Sequence, residues 1–207
     1  MANDPDQETI GPFVEACLAQ MRASKKWFAT RVLPLSLDQL RWRPRSGSWS
    51  IVDCLDHLNR TLVYYLPKID QAIGQSQLKL RDPARGLVFP ESEEDFLKQA
   101  EPPIRSHSVT PSALLPVPAV DPGLIVDQFP QLRNRYAKAV LSASRLDLAN
   151  ISIAGSIHPP VHSLAGVIAL LAAHDRRHLW QAEQVRNTPG FPASLIDALS
   201  LDERLKC

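Results

Sequence analysis

Eight of the chain's eighteen prolines crowd into residues 83 to 122: Pro83, Pro90, Pro102, Pro103, Pro111, Pro116, Pro118 and Pro122. Each removes a backbone donor and clashes with the preceding helical turn, so no long helix crosses this stretch. Apolar and polar residues show little alternation there, which argues against a strand. The segment reads as a long crossover, about residues 76–122, with room for a short helix at 91–99 ("ESEEDFLKQ"). A compact domain rarely keeps so long a connection unless it covers something. The plainer alternative is an exposed insertion.

On either side of the crossover the apolar residues repeat with the helical period. The first such run, about 7–31, aligns Ile10, Phe13, Val14, Cys17, Met21, Ser24, Trp27 and Phe28. A second, about 49–74, aligns Ile51, Leu55, Leu58, Leu62, Tyr65, Leu66 and Ile69. Ser48 or Ser50 can cap its start, and Asp53, three residues after Ser50, gives a weak capping-box pattern. Pro67 lies inside this run, which leaves room for a kink or an early end. The third run, about 122–146, uses Ile125, Phe129, Leu132, Tyr136, Ala139, Val140 and Ala143, and Pro130 suggests that its regular part begins near that residue. The fourth, about 161–187, follows Pro159 and Pro160 and stops at Thr188, Pro189 and Gly190. "ANISIAG" can hold an extended piece, a short helix can follow near 192–203, and 188–207 reads as a tail. With no strong strand pattern and no repeat, the expectation is a single all-α domain over 1–207, a four-helix bundle.

A net charge of +1 supplies no basic field for nucleic acid or an anionic membrane. The longest apolar run, "SLAGVIALLAA", is too short to span a bilayer. The opening "MANDPDQETIGP" is acidic and polar, unlike a signal peptide. Cys17, Cys54 and Cys207 are scattered thiols without a CxxC pair, so a reducing compartment, the cytoplasm, is expected.

The chemistry concentrates in "LAAHDRRHLWQAEQVR", residues 171–186. His174 and His178 are one turn apart and share a face with Val167, Leu170, Leu171, Gln181 and Val185, whereas Arg176, Glu183 and Arg186 point away. The pair interrupts a core-facing stripe. A buried imidazole must hydrogen-bond or ligate, so the pair implies either a polar network or a metal. His57 lies at the edge of the second helix's stripe, near Asp53, Thr61 and Tyr64. Bundles assemble metal sites from facing helices in this way, and three histidines would leave a fourth position open. The alternative for His57 is a flank histidine bonded to solvent or to Asp53. His107, His158 and His162 read as surface residues, the latter two as reserves for the site. Asp175 makes the core H-D-x-x-H, but the aspartate is shorter than the glutamate of zinc proteases and no third ligand follows at their spacing. It is expected to pair with an arginine or to orient a histidine. Cys54, one turn before His57, could ligate but reads as a small core residue.

Together, "WRPRSGSWSIVDCLDHL" and "SLAGVIALLAAHDRRHLWQAEQV" resemble the DinB/YfiT-like superfamily. The matching features are P-x-x-x-S-W-S-I ahead of the second helix, its D-H-L, and H-x-x-x-H-x-x-Q in the last helix. The likeness covers about 10–187. It implies a mostly antiparallel four-helix bundle, with the long crossover between helices two and three. It also implies a divalent metal on His57, His174 and His178, zinc or nickel first, with iron or cobalt also compatible with imidazole. Relatives with known activity include thiol S-transferases for low-molecular-weight thiols, others are described as metal-dependent hydrolases, and homodimers are frequent. The implied enzyme would activate water or a thiol against a small-molecule substrate. Asp53, Tyr64, Asp175 and Gln181 are its candidates for proton handling or ligand orientation. A non-catalytic metal- or ligand-binding bundle, such as a stress-related sensor, is the rival expectation.

Overall fold

The computed structural model describes residues 11–76, 80, 87–104, 109–157 and 160–193. His107, His158, Cys207, the start of the first helical run and most of the suggested 192–203 helix lie outside the described residues. Among the described residues there are six α-helices: α1 (Pro12–Arg31), α2 (Leu37–Arg41), α3 (Ile51–Gln75), α4 (Glu91–Ala100), α5 (Pro122–Ser142) and α6 (Leu164–Arg186). Single 3-10 turns occupy Ser112–Leu114 and Leu148–Asn150. The fold is all-α, as the periodicity requires, and no strand forms among the described residues.

The helix ends follow local chemistry. Ser50 caps α3: its hydroxyl accepts from the Asp53 amide, and Asp53 Oδ2 accepts from the Ser50 amide at 2.6 Å. Arg43 then pairs with Asp53 at 2.8 Å, tying the preceding connector to this corner. In keeping with the run over about 49–74, α3 continues through Pro67 to Gln75. Pro67 and Val63, whose carbonyl loses its helical donor, are on the exposed side, while Tyr65, Leu66 and Ile69 are wholly buried and hold the helix in place. Helix α5 likewise begins well before Pro130, because Asp121 caps the Gly123 amide and Pro122 suits the first turn. Helix α6 begins at Leu164, later than the pattern suggests. Ser152 and Ser163 form an antiparallel bridge, and Ile153 bonds the His162 carbonyl at 2.8 Å, which keeps 161–163 extended.

Four long helices make the body. Helix α3 packs on α5 and α6, and α1 packs on the same two. The order around the body is thus α1, α5, α3, α6. Its apolar core is split into two clusters. One gathers Met21, Leu62, Tyr65, Tyr136, Val140 and Leu171. The other gathers Phe28, Leu55, Leu58, Phe129 and Leu179, with Phe28 stacked on Phe129 at 4.6 Å. Between them each long helix contributes buried polar groups: Ser24 from α1, His57, Asn59 and Thr61 from α3, Arg133 from α5, and Asp175 and His178 from α6. The histidines belong to a polar layer that crosses the whole body.

The crossover does not hang free. Helix α4 packs on α6. Its Glu93 is fully buried and accepts from the His162 and Ser163 amides at 2.9 and 2.8 Å and from the Ser163 hydroxyl at 2.7 Å. Ser163 in turn caps α6 through the Gly166 amide. Gly166 has a steric reason: a Cβ there would meet Glu93 Oε2 at 2.4 Å. Glu101 pairs with Arg176 farther along α6.

Candidate metal centre

His57 on α3 and His174 and His178 on α6 converge, each offering a nitrogen within 4.8 Å of the other two. His57 and His178 are 3 % and 7 % exposed, while His174 is only half-buried, so the cluster reaches the surface along His174. The Nε2 atoms of His57 and His174 are 3.0 Å apart, across a sequence separation of 117 residues. Ring centroids lie 4.5 Å apart for both His57–His178 and His174–His178.

Two of the rings are oriented from behind. His57 Nδ1 lies 2.7 Å from the Leu114 carbonyl. A carbonyl only accepts, so this nitrogen carries the proton, and in the neutral ring Nε2 keeps its lone pair toward the cluster. His178 Nδ1 meets Gln181 Oε1 at 2.9 Å, with the same consequence for its Nε2. Burial, reinforced by His57 and Arg177 and opposed by the Gln181 bond, pushes the His178 pKa down to about 3. The ring is therefore neutral at ordinary pH, the state in which imidazole ligates. Trp49, just ahead of α3, stacks on His178 at 5.6 Å and leans on His57 at 5.0 Å. It lays a half-buried apolar ring against these two histidines.

The donor set fits a divalent ion: three converging imidazole nitrogens, hydrogen-bond acceptors on Nδ1 of two rings, and one half-exposed edge. Cys54 is not among the clustered ligands, and burial raises its thiol pKa far above the ordinary value.

Several of the other residues singled out from sequence are engaged in bonds of their own. Asp53 is occupied with the α3 cap and Arg43. Tyr64 donates to the Gly155 carbonyl at 2.7 Å and carries Lys68 over its ring. Asp175 pairs with Arg133 at 2.7 Å. His162 is exposed and lies 3.5 Å from Glu93, outside the cluster. Gln181, the fourth proton-handling candidate, bonds the cluster histidine His178. Sequence reading missed the Leu114 carbonyl and Trp49. Trp49 had a signal in its place within the S-W-S-I motif, whereas a backbone carbonyl has none.

No helix among the described residues is long and apolar enough to cross a membrane. Neither curated proteins nor solved structures give a match. A family model described as the DinB superfamily matches residues 20–182. That span begins within α1, ends near the close of α6 and takes in all three clustered histidines, and the chain belongs to the DinB superfamily.

Proposed function

We propose that this chain is a metal-dependent enzyme, of hydrolase or low-molecular-weight thiol S-transferase type, whose divalent ion is held by His57, His174 and His178. The observation that carries the reading is the buried convergence of three imidazoles, two of them fixed through Nδ1 by Leu114 and Gln181. Such oriented nitrogens suit zinc or nickel, and also iron or cobalt. The ion, when bound, would supply a Lewis acid able to bring water or a thiol to its ionised form near neutral pH.

The chain's own residues do the rest. His57 and His178 present Nε2 from a sheltered layer, and their acceptors keep the rings from turning. Trp49 lays its apolar ring against both. The half-exposed His174 edge is the side from which a small substrate would approach. Asp53 and Asp175 already serve other bonds, so they are assigned structural roles and not the proton acceptor's.

The test begins with elemental analysis of protein purified without chelator. About one divalent ion per chain, lost in His178→Ala with helical content retained, is expected. Well under one ion per chain would leave a buried histidine network in place of a metal site. With metal present, a panel of thiols with electrophiles, and of esters and amides, is run with and without chelator. Turnover that disappears with chelator supports the enzyme, and metal binding without turnover points to a sensor or binding protein.

A further inference from the structure

Three groups within one turn of α3 hold the same short piece of the crossover. His57 Nδ1 donates to the Leu114 carbonyl at 2.7 Å. Arg60 donates to the Ala113 carbonyl at 2.9 Å. Asp56 Oδ2 accepts from the Val117 amide at 2.7 Å. The two flanking bonds straddle Leu114, one just before it and one just after the 3-10 turn ends. The Leu114 side chain is itself 2 % exposed, so the turn is seated as well as tied. Asp56 is 3 % exposed and adjoins His57 in sequence, yet its carboxylate faces the crossover.

We propose that Asp56 is a positioning residue for the histidine cluster: by holding the 112–117 segment against α3 it keeps the Leu114 carbonyl on His57 Nδ1 and so fixes the ring in the form that presents Nε2. The inference rests on the metal reading for its functional meaning, but its structural half concerns the metal-free protein. A backbone carbonyl cannot be moved by substitution, so the protein controls it through the neighbours that anchor its peptide. On this account the proline-rich crossover is part of the site. Its prolines stiffen a segment whose task is to deliver one acceptor, since residues with fixed φ lose less freedom on ordering.

The test compares Asp56→Ala with Asp56→Asn. Asparagine keeps an oxygen that can accept from Val117, whereas alanine keeps none. The first readout is the imidazole nitrogen spectrum of metal-free protein by two-bond proton–nitrogen correlation, with His57 assigned by its loss in His57→Gln. Wild type and Asp56→Asn are expected to show the Nδ1-protonated form, and Asp56→Ala a mixture of the two tautomers. The second readout is zinc affinity by chelator competition, expected to fall about 10- to 100-fold in Asp56→Ala, as when a ligand's orienting partner is lost, and to return to within about threefold of wild type in Asp56→Asn. Circular dichroism confirms the fold in each case. If Asp56→Ala does not fold, Arg60→Met, which releases the other anchor, takes its place and is expected to shift the tautomer in the same direction. A pure Nδ1-protonated His57 in both variants overturns the proposal. If wild type binds no zinc, the metal reading fails while the tautomer comparison still decides the role of Asp56.

Discussion

Arg133 and Asp175 form a two-point ion pair in the buried polar layer, with Nε to Oδ2 at 3.1 Å and a terminal nitrogen to Oδ1 at 2.7 Å. Arg133 is wholly buried, donates also to Asn59 and the Phe129 carbonyl, and lies 3.3 Å above the Phe129 ring. The aspartate that follows His174 in sequence is thus committed to tying α6 to α5 across the interior of the body. Asp175→Ala strands a buried guanidinium and is expected to lower unfolding free energy by about 3–5 kcal/mol. Arg133→Met combined with Asp175→Leu removes both charges and is expected to recover much of that loss. Urea denaturation of the three proteins checks this. A single Asp175→Ala that melts like wild type while losing activity would instead return Asp175 to the chemistry.

The Glu93–Gly166 contact gives a second expectation. Gly→Ala inside a helix ordinarily stabilises by about 0.5–1 kcal/mol. Here the added methyl meets a carboxylate held by three hydrogen bonds, which cannot withdraw without releasing Ser163. Gly166→Ala is therefore expected to destabilise by about 1–3 kcal/mol, the range for overpacking. Because the obstacle is a side chain, the penalty is expected to shrink in a Glu93→Ala background. A thermal double-mutant cycle measures the coupling, and additive effects would contradict it.

The difference between what was legible in the sequence and what was not is itself physical. His174 and His178 announce themselves because one-turn spacing on an apolar stripe leaves an imidazole nowhere to go but the core. His57 was readable mainly through the D-H-L and S-W-S-I motifs around it. Ser50 and Asp53 form their cap within four residues, so local sequence suffices. Glu93 and Leu114 were not legible: one reads as an exposed acid in an "ESEE" run, and the other acts through its backbone. Both depend on contacts between the crossover and helices distant in the chain. The start of α5 ahead of Pro130 has a related reason, since the packing of Phe129 outweighs a missing helical bond, as that of Tyr65, Leu66 and Ile69 does for α3 at Pro67.

The thiols offer a test of burial. Burial, only partly offset by Arg176, raises the Cys17 pKa from 9.0 to about 11, and Cys54 is raised further. At pH 8 the thiolate fraction of Cys17 is then about one in a thousand, and the thiolate is the reactive form. Iodoacetamide at pH 8 is expected to leave Cys17 and Cys54 unmodified in the native protein and to modify both in urea, as read by peptide mass mapping. The sign of the linkage follows. A folded pKa above the unfolded value gives a contribution complete below about pH 9, and it is lost as pH rises toward 11. Cys17→Ala is expected to flatten the alkaline fall in melting temperature across that window. Rapid native labelling of either thiol at pH 8 would contradict the packing described.

Trp49 supplies a direct optical readout of the cluster. The chain has four tryptophans, Trp27, Trp42, Trp49 and Trp180, and Trp49 stacks on His178 and leans on His57. An ion bound by His57 and His178 would lie next to its indole, so nickel, which is paramagnetic, is expected to quench part of the emission saturably. Trp49→Phe is expected to remove most of that quenching while leaving nickel stoichiometry unchanged, because phenylalanine keeps an apolar ring there. In parallel, metal at about one hundred times its dissociation constant is expected to stabilise the fold by about 2.7 kcal/mol, provided the unfolded chain does not bind it. His178→Ala is expected to lose both responses. Quenching that survives Trp49→Phe in full would move the ion away from these rings, and stabilisation that survives His178→Ala would assign it to other ligands.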